Sequence, residues 1–309
     1  MGSSASTTIA VAICTYNRNE ELTILLEALL ISVVQLKGRA AVGVVVVDDS
    51  VDGKARSVVE RFSNRFELGI TYRISGRQNI SLARNVAIET AIGIADWTVM
   101  TDDDCEPTAE WLNALLDTQQ RTGADAVTGP MVRRVPPGSP RWLTEEPFLE
   151  LGLSPGREGE QLSTASTFNS MISSRWLKGH PGIRFDPEFG VIGGEDMVFY
   201  RAAHASGLRI HYSERASVFE NEPANRATLG YQLRAYFWHG NSSYAASVRS
   251  GANSVHFFLH GLKSLLRAFV RPIVRLCHGQ RPQLRYWLAL MFHAIGKIAG
   301  PIGIRATHK

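Results

Sequence analysis

Three consecutive carboxylates, Asp102, Asp103 and Asp104, directly follow an apolar run at 97–100 that has the character of a buried strand. Alternate side chains of an extended segment point to the same face, so Asp102 and Asp104 are predicted to face one spot and Asp103 to face away. Two carboxylates at one spot suit Mg²⁺ or Mn²⁺, which complete their coordination with water and substrate phosphates. The alternative is that the aspartates only cap the next helix and stabilise its N-terminus.

A second acidic pair, Glu195 and Asp196, follows two glycines in the segment "GGED". Glycine permits an unusual backbone conformation or a close approach by a substrate. Taken alone, such a pair is also common in the first turn of a helix. Two acidic groups in one chain, one at a strand end and one after a glycine turn, together indicate a metal–phosphate site and a separate general base.

Alternating strand and helix patterns must position these side chains. This alternation predicts an α/β fold with a Rossmann-like, mainly parallel sheet and helices on both faces. Ligands of such sheets bind beyond the carboxyl ends of the strands, where Thr15, Asp48, Asp49 and the three aspartates fall. The predicted strands are 8–14, 41–49, 69–75, 97–104 and 124–132, and the predicted helices are 19–36, 52–62, 79–93 with Gly93 at its end, and one that starts at Pro107.

Beyond residue 132 the regular pattern loosens into a Pro-, Gly- and Trp-rich stretch that runs to about 190, which is typical of binding loops. An amphipathic helix after "GGED" and another at 227–245 follow. We therefore expect a catalytic domain at 1–250 and a basic helical tail at 251–309. Within the catalytic domain, residues 1–132 are predicted to bind the nucleotide and residues 133–250 to bind the acceptor and carry the catalytic acid–base group.

Six short motifs follow one another along the chain between residue 8 and about residue 245: "AICTYNR", "VVVVDDS", "NISLARN", "MTDDDCEP", "FGVIGGEDMVFYR" and "R-x-T…R-x-Y-F-W-H-G-N-S". The ordered set resembles the inverting glycosyltransferases of family 2, most closely the branch with the succinoglycan glucosyltransferases. The resemblance implies an A-type glycosyltransferase fold, a nucleotide-sugar donor such as UDP-hexose, and a divalent metal, Mn²⁺ or Mg²⁺. It also implies a saccharide or lipid-linked acceptor, in the synthesis of cell-surface polysaccharides or glycoconjugates.

The resemblance assigns roles to the residues that would bind the donor. Thr15 and Asp49 should hold the nucleotide, with the Asp49 carboxylate accepting a hydrogen bond from the uracil ring. Arg84 should reach the nucleotide or its diphosphate. Asp102 should contact the donor ribose or the metal, and its neighbour Asp103 is expected among the donor-binding residues.

The resemblance also assigns the metal ligands and the general base. Asp104 should be the principal metal ligand, assisted by Asp102, and Asp196 should take the proton from the acceptor hydroxyl. Glu195 is expected to assist catalysis by orienting the acceptor or its neighbour. Many family members carry a downstream histidine as a third metal ligand, whereas the comparable segment here reads "VFENEP", so Glu220 or water would have to serve.

Two further arginines, Arg226 and Arg234, lie where the family places basic residues against the leaving diphosphate. The alternative is that both are ordinary exposed helix arginines. Two cysteines, Cys14 and Cys105, flank the predicted site, but no neighbouring base in the sequence would make either thiol a nucleophile.

Charge is divided unevenly along the chain. The first 222 residues hold all 29 Asp and Glu and 21 of the 33 Lys and Arg, so residues 223–309 carry twelve basic residues and no acidic one. Within 255–276, basic residues recur every four positions beside an apolar face, which is typical of an amphipathic helix on an anionic membrane surface. Pro272 is a predicted kink or break in this helix. The alternatives are docking on the acidic catalytic domain and a nucleic-acid surface, for which no binding module is present.

The segment 286–304 has about the length of a membrane span, but His293, Lys297 and Pro301 interrupt it, so lying in the interface is favoured over crossing. The N-terminus lacks a signal-peptide pattern, and three widely spaced cysteines indicate a reducing compartment. We therefore expect a cytoplasmic protein that is peripheral on the inner face of the cell membrane.

Two other classes of protein fit parts of the pattern. A catalytically idle nucleotide-sugar-binding or scaffold subunit would share the fold, but here both acidic groups are retained. A sugar nucleotidyltransferase would require a glycine-rich, basic phosphate loop after the first strand, where this chain reads "TYNRNEE".

Overall fold

Apolar runs and leucine-rich segments form alternating strands and helices in the first part of the chain. The computed structural model describes residues 7–153 and 155–306. Val-rich runs favour strands because branched side chains pack well on a pleated surface. The elements, in order, are β1 (Thr7–Thr15), α1 (Asn19–Gln35), β2 (Ala40–Asp48), α2 (Arg56–Glu60), β3 (Ile70–Ile74), α3 (Ile80–Ile94), β4 (Trp97–Asp102), β5 (Cys105–Pro107), α4 (Trp111–Thr122), β6 (Ala126–Thr128) and β7 (Met131–Arg134).

Shorter elements and long helices make up the rest of the chain. Single 3-10 turns lie at Pro147–Glu150 and Ala224–Arg226. The remaining elements are α5 (Trp142–Glu145), β8 (Gln161–Leu162), β9 (Ser170–Ser173), α6 (Ser174–Gly179), α7 (Phe189–Ile192), α8 (Glu195–Ala205), β10 (Ile210–Tyr212), β11 (Val218–Asn221), α9 (Leu229–Arg249), α10 (Ser254–Cys277) and α11 (Leu284–Ala299).

The described residues form two compact units. The first unit comprises 7–132, 155–190 and 199–221, and the second comprises 133–153, 191–198 and 222–306. Whether these units correspond to a donor-binding part, an acceptor-binding part and a separate tail stays a prediction.

A large mixed sheet forms the first unit. Among the described residues it has eight strands, in the order β3-β2-β1-β4-β9-β6-β10-β8. The four strands β3, β2, β1 and β4 run parallel, and β9 is antiparallel to both of its neighbours. Every residue of β2 is buried, as expected for a strand covered on both faces. The predicted α/β fold with a mainly parallel sheet is confirmed.

Two predicted helix boundaries are wrong. The helix after the three aspartates begins at Trp111, because Pro107 ends the short strand β5 and lies opposite Val218 of β11. Gly93 lies inside α3, which ends when Ala95 adopts an extended conformation. The sequence contained no signal for β5, since its three residues have neither the length nor the alternation of a typical strand.

Two other predicted elements are shorter than their sequence patterns suggested. The run 124–132 forms two strands, because β6 belongs to the eight-stranded sheet and β7 to a second sheet with β5 and β11. Between them, Gly129 lies so close to the backbone of Ala216 that a β-carbon would come within 2.1 Å of its carbonyl oxygen. The helix predicted at 52–62 begins at Arg56, because Gly53 has a positive φ of 62° that interrupts the helical conformation.

Three long helices, α9, α10 and α11, dominate the second unit. Glycines allow close contact between them: a β-carbon on Gly240 would lie 2.1 Å from the carbonyl oxygen of His293, and one on Gly296 would lie 2.1 Å from that of Phe237. Helix α10 continues through Pro272, so this proline does not end it. Within residues 7–153 and 155–306, no helix has both the length and the apolar character needed to cross a membrane.

Candidate active site

Asp48, the last residue of β2, is a structural residue. Its buried carboxylate accepts hydrogen bonds from the backbone nitrogens of Ser50 and Ala55, each at 2.9 Å, and from the Tyr72 hydroxyl at 2.8 Å. Burial and the adjacent carboxylate raise the pKa of Tyr72, so its hydroxyl keeps the proton that it donates. Asp48 therefore fixes the loop that follows the strand.

Asp49, the next residue, is placed at the carboxyl edge of the sheet. Its backbone nitrogen donates to the carbonyl oxygen of Thr15 at 2.8 Å, so these two predicted donor-binding residues lie side by side. Its side-chain oxygen Oδ1 accepts from the Arg77 backbone nitrogen at 3.1 Å and from the Ser75 hydroxyl. Both bonds end on Oδ1, which fixes the carboxylate while its second oxygen, Oδ2, takes part in neither.

Arg84 and Asp102 form an ion pair in which the arginine is buried and the carboxylate is partly exposed. The Arg84 Nη2 atom lies 2.8 Å from Asp102 Oδ1, and only 9% of the Arg84 side chain is exposed. The guanidinium also lies over the ring of Phe185, 5.7 Å from its centroid. Because Arg84 comes from α3 and Asp102 from the end of β4, the pair brings two predicted donor-binding residues together.

The other two aspartates of the triplet turn towards a different arginine. The Arg18 Nη1 atom lies 2.9 Å from Asp103 Oδ1 and 2.7 Å from Asp104 Oδ2. The expected alternation is therefore wrong: β4 ends at Asp102, and the turn that follows lets Asp103 and Asp104 converge on one cation. Burial raises the pKa of Asp103 to about 7, although the Arg18 guanidinium acts in the opposite direction.

Glu220 lies beside the aspartates, on β11. It is opposite Cys105 in the antiparallel pair of β5 and β11, and Cys105 directly follows Asp104. Burial raises the pKa of the Cys105 thiol, and the charges of Asp102, Asp104 and Glu220 raise it further, so all three carboxylates are close to this thiol. Burial likewise raises the pKa of Cys14 to about 12, which fits a packing role for both cysteines.

The carboxylates near Asp104 fit a Mg²⁺ or Mn²⁺ ion by their chemistry. Within the part of the chain that the structure describes, no three His, Cys, Asp or Glu side chains are already arranged as a complete metal site. A complete protein site is not required, since these ions commonly bind through one or two carboxylates together with substrate phosphates and water. Asp104 is a carboxylate of the required kind, and its joint binding of a metal with Asp102 or Glu220 stays a prediction.

The predicted acid–base pair lies in the second unit, at the start of α8. Gly193 and Gly194 have φ angles of 83° and 88°, a region that side chains with a β-carbon rarely adopt. The turn therefore uses both glycines, and Glu195 and Asp196 form the first turn of the helix. The Asp196 Oδ1 atom accepts a hydrogen bond from the Met197 backbone nitrogen at 2.7 Å.

The two arginines expected at the diphosphate also lie in the second unit. Arg226 is 3.4 Å from Glu222, and its guanidinium lies over the ring of Tyr231 at 5.9 Å. Arg234 is exposed on α9. Contact of either arginine with a diphosphate stays a prediction.

Several residues that position this site were missed at the sequence level. Asn79 caps α3 and donates to the carbonyl oxygen of Pro187, and Asn85 bonds to both backbone groups of Phe185. These two asparagines, both in the segment "NISLARN", hold the stretch at 185–187 of the first unit. Their side-chain amides were a usable signal, because an amide can satisfy a backbone donor and acceptor together. Arg18 was missed as well, although it lies close behind Thr15, the last residue of β1.

Comparison with known proteins identifies the family. The model described as "Glycosyl transferase family 2" matches residues 10–180. The succinoglycan biosynthesis protein ExoM of Rhizobium meliloti (strain 1021) is 31% identical over 301 residues, which cover 96% of this chain and 94% of that protein. The chain belongs to glycosyltransferase family 2. The match of the family model ends before "GGED", so it covers the triplet and not Asp196.

Solved structures share the fold. S. aureus TarS 1–349 in complex with UDP has a TM-score of 0.54 at 14% identity, covering 96% of this chain and 92% of that one. GalNAc-T7 with UDP, GalNAc and Mn²⁺ has a TM-score of 0.54 at 11% identity, covering 78% and 51%. The chain spans 38% of a longer TarS chain. At these identities the likeness shows the fold, which confirms the predicted A-type glycosyltransferase architecture.

Proposed function

We propose that this glycosyltransferase moves a hexose from a UDP-sugar to a hydroxyl group of a saccharide or lipid-linked acceptor, with inversion at the anomeric carbon. The observation that carries the proposal is the gathering of predicted donor-binding residues at one edge of the sheet: Asp49 beside Thr15, and Arg84 paired with Asp102. The name of the ExoM relative supports a role in polysaccharide synthesis, and the nucleotides of the TarS and GalNAc-T7 structures support a UDP-linked donor.

The donor would bind along the carboxyl edge of the first unit. The Asp49 Oδ2 atom would accept from the uracil N–H, because Ser75 and Arg77 already hold the other oxygen in place. Thr15 would line the same part of the nucleotide site. Arg84 would supply positive charge to the nucleotide or diphosphate, and Asp102 and Asp103 would lie at the ribose and diphosphate end.

A divalent cation would be held by Asp104, together with Asp102 or Glu220. Such an ion neutralises charge on the leaving diphosphate, where it stabilises the developing negative charge. Arg226 and Arg234 would add positive charge at the same group. The Mn²⁺ in the GalNAc-T7 structure supports a metal in this fold, and the carboxylate chemistry described above supports it in this chain.

Asp196 would act as the general base. Its carboxylate takes the proton of the acceptor hydroxyl while that oxygen forms a bond to the anomeric carbon, and the bond from this carbon to the diphosphate oxygen breaks with both electrons leaving on UDP. One displacement of this kind inverts the anomeric centre, so the enzyme needs no nucleophile. Glu195 would orient the acceptor. A base held at a helix start behind a fixed glycine turn is positioned before the acceptor arrives.

The second unit would also place the enzyme on the inner face of the cell membrane. Side chains at helical spacing share one face of a helix, and on α10 three such faces differ in character. Gly261 and Ala268 are buried, four basic residues share a second face, and an apolar third face is exposed to solvent. The apolar residues of the third face are Val255, Leu259, Leu262, Leu266, Phe269, Ile273 and Leu276, and the basic ones are Lys263, Arg267, Arg271 and Arg275. Two further exposed residues, Val270 and Val274, lie beside the basic ones.

Contact with an anionic membrane explains this combination of faces better than exposure of the helix to water does. Seven apolar side chains in a row on one exposed helix face exceed what scattered surface residues explain. Basic residues beside such a face would contact lipid head groups while the apolar row enters the acyl boundary. The proposed occupant is therefore a bilayer that contains anionic phospholipid, with α10 lying parallel to its surface.

The donor assignment is tested by measuring nucleotide release from a panel of UDP-, GDP- and dTDP-hexoses with Mn²⁺ or Mg²⁺ present. We expect release of UDP that stops when the metal is chelated, and a large loss in Asp104→Asn. Asp52→Asn, which alters an exposed carboxylate elsewhere in the same unit, is the control and should behave like the parent. Release from GDP- or dTDP-hexoses alone would contradict a UDP donor, and chelator-insensitive release would contradict the metal.

A further inference from the structure

The Arg18 guanidinium lies between the carboxylates of Asp103 and Asp104, and Asp104 is the principal metal ligand proposed above. A single atom, Nη1, lies 2.9 Å from Asp103 and 2.7 Å from Asp104. The chain is aimed there by Asn17, whose positive φ of 56° turns the backbone just before α1; asparagine tolerates this conformation better than most residues. The contact is thus built into the loop after β1.

The strand-end carboxylates are neutralised by two arginines that differ in exposure. Arg84 is 9% exposed, is paired with Asp102 and is packed over Phe185, so moving it would break a buried ring contact. Arg18, the residue just before α1, is 38% exposed, whereas its partners Asp103 and Asp104 are 7% and 17% exposed. Water can hydrate the partly exposed guanidinium when the ion pair opens, which lowers the cost of separating it. Arg18 is therefore the cation that can leave.

We propose that Arg18 is a displaceable counter-ion of Asp104, which weakens the binding of free divalent metal to the donor-free protein and yields when the metal arrives with the donor diphosphate. This inference rests on the proposed metal-dependent transfer. A guanidinium and a divalent ion cannot share one carboxylate oxygen at close range without strong repulsion. The negative diphosphate offsets this repulsion and favours the exchange, since it attracts both the metal and the displaced guanidinium.

Binding of metal and binding of nucleotide become coupled through this exchange. In the donor-free state a metal must displace Arg18 without compensation, whereas with UDP present the arginine gains a new anionic partner. The coupling is reciprocal, so UDP must strengthen metal binding by the same factor as metal strengthens UDP binding. Removing the Arg18 charge should raise the affinity for free metal and reduce the coupling.

The test measures Mn²⁺ binding to the purified full chain by the loss of the electron paramagnetic resonance signal of free Mn²⁺, without UDP and with UDP. The variants are Arg18→Gln, which keeps a hydrogen-bond donor without charge, Arg18→Met, and Arg18→Lys as the charge-conserving variant. Arg39→Met is the matched control, because Arg39 is 36% exposed and pairs with Asp117 at 2.8 Å, away from the triplet. Mixtures of Mn²⁺ and UDP alone provide the correction for binding in solution.

We expect Arg18→Gln and Arg18→Met to bind free Mn²⁺ about three- to tenfold more tightly than the parent. Arg18→Lys and Arg39→Met should keep the parent affinity, and the strengthening of Mn²⁺ binding by UDP should shrink in the first two variants. If UDP-dependent Mn²⁺ binding is present but free Mn²⁺ binds the Gln and Met variants no more tightly than the parent, Arg18 is not a displaceable counter-ion. If no form binds Mn²⁺ with or without UDP, the proposed metal dependence itself is contradicted.

Discussion

The indole nitrogen of Trp238 donates a hydrogen bond to the carbonyl oxygen of Ile192, at a distance of 3.0 Å, immediately before the glycine turn that leads to Asp196. The ring lies so close to this turn that a β-carbon on Gly193 would come within 2.1 Å of its Cζ2 atom. Trp238 on α9 therefore acts as a rigid support for the turn. Both residues belong to the second unit, so the support and the proposed base are parts of one compact structure.

This contact predicts that Gly193→Ala abolishes most transfer activity. The new methyl group must displace the Trp238 ring, and the positive φ of 83° disfavours alanine. Because misplacement of a catalytic group by about 1 Å can cost roughly 10²-fold in rate, we expect a loss of that order. The measurement is the transfer rate at saturating UDP-sugar, alongside UDP affinity by calorimetry.

Gly251→Ala is the matched control for that substitution. Gly251 has a similar φ of 88° in the same unit, but a β-carbon there would meet no atom within 4 Å. The Gly251→Ala variant therefore carries the backbone strain of a positive φ without any displacement of the indole ring. Equal transfer rates in the two variants would show that the contact with Trp238 does not position the turn.

A second prediction concerns the structural role of Asp48, the last residue of β2. Asp48→Asn places an amide nitrogen against the backbone N–H or hydroxyl donors that the carboxylate now accepts. Leaving buried donors unmatched should lower the free energy of unfolding by about 1–3 kcal/mol. Asp52→Asn, at an exposed carboxylate in the same loop, should change it by less than about 0.5 kcal/mol. Urea unfolding measures the free energy of unfolding of both variants. Equal values for the two would contradict a structural role for Asp48.

The positions of the donor-site residues were predictable because parallel strands end at one sheet edge. Thr15, Asp49 and Asp102 each follow a continuous apolar run, which marks a buried strand and its end. The order of the motifs then identified the family. Local pattern and family resemblance together were sufficient for the fold and for the position of these three residues at one edge of the sheet, whereas their binding of the donor stays a prediction.

The conformation of the aspartate triplet was not predictable from alternation. Alternation applies only while the backbone stays extended, and β4 ends at Asp102, where the carboxylates meet Arg18 and Arg84. Both arginines are distant in sequence, so their pairing depends on tertiary structure. The supporting role of Trp238 was hidden for the same reason, because nothing local in "YFWHGNS" reveals what the indole contacts.

A third prediction concerns membrane binding by α10. The double variant Leu266→Gln and Ile273→Gln shortens the exposed apolar row without touching the buried face, where Gly261 and Ala268 lie. We expect at least about tenfold weaker binding to vesicles that contain phosphatidylglycerol, from the lost burial of two side chains. Binding of the parent should also weaken with added salt, which screens the basic face. Vesicle sedimentation measures both effects.

The control for the membrane experiment alters exposed apolar residues elsewhere. Ile31→Gln with Val34→Gln changes two exposed side chains of α1 in the first unit. This variant should bind vesicles as the parent does. Equal losses in the two double variants, or parent-like binding by the α10 variant, would assign the apolar row of α10 to another partner.

A fourth prediction links pH to the stability of the second unit. His239 and His293 contact each other, with a ring nitrogen separation of 3.4 Å, and burial lowers their pKa values to about 4 and about 3. The charge of Lys297 adds to the lowering of both pKa values, and the charge of Arg133 adds to that of His239. Both folded-state pKa values lie below the unfolded value of about 6.5, so the unfolded chain binds more protons as pH falls. Stability should therefore be full above about pH 7 and decline towards pH 4.

Urea unfolding between pH 7.5 and pH 5 measures this decline. Each buried histidine contributes at most about 1.4 kcal/mol per pH unit, so His293→Gln should flatten the dependence by up to that slope. His211→Gln, in the first unit, is the control and should keep the slope of the parent. An unchanged slope in His293→Gln would show that this histidine is not the source of the acid sensitivity.

The central claim is that Asp196 removes the proton from the acceptor hydroxyl, and the transfer rate of Asp196→Asn at saturating UDP-sugar tests it most directly. Asparagine keeps the size of the side chain and cannot accept the proton, so UDP affinity should survive while turnover falls by about 10²- to 10⁴-fold. Glu195→Gln, the neighbouring carboxylate on the same helical turn, should lose less. Near-normal turnover of Asp196→Asn together with an inactive Glu195→Gln would contradict the account and assign the base to Glu195.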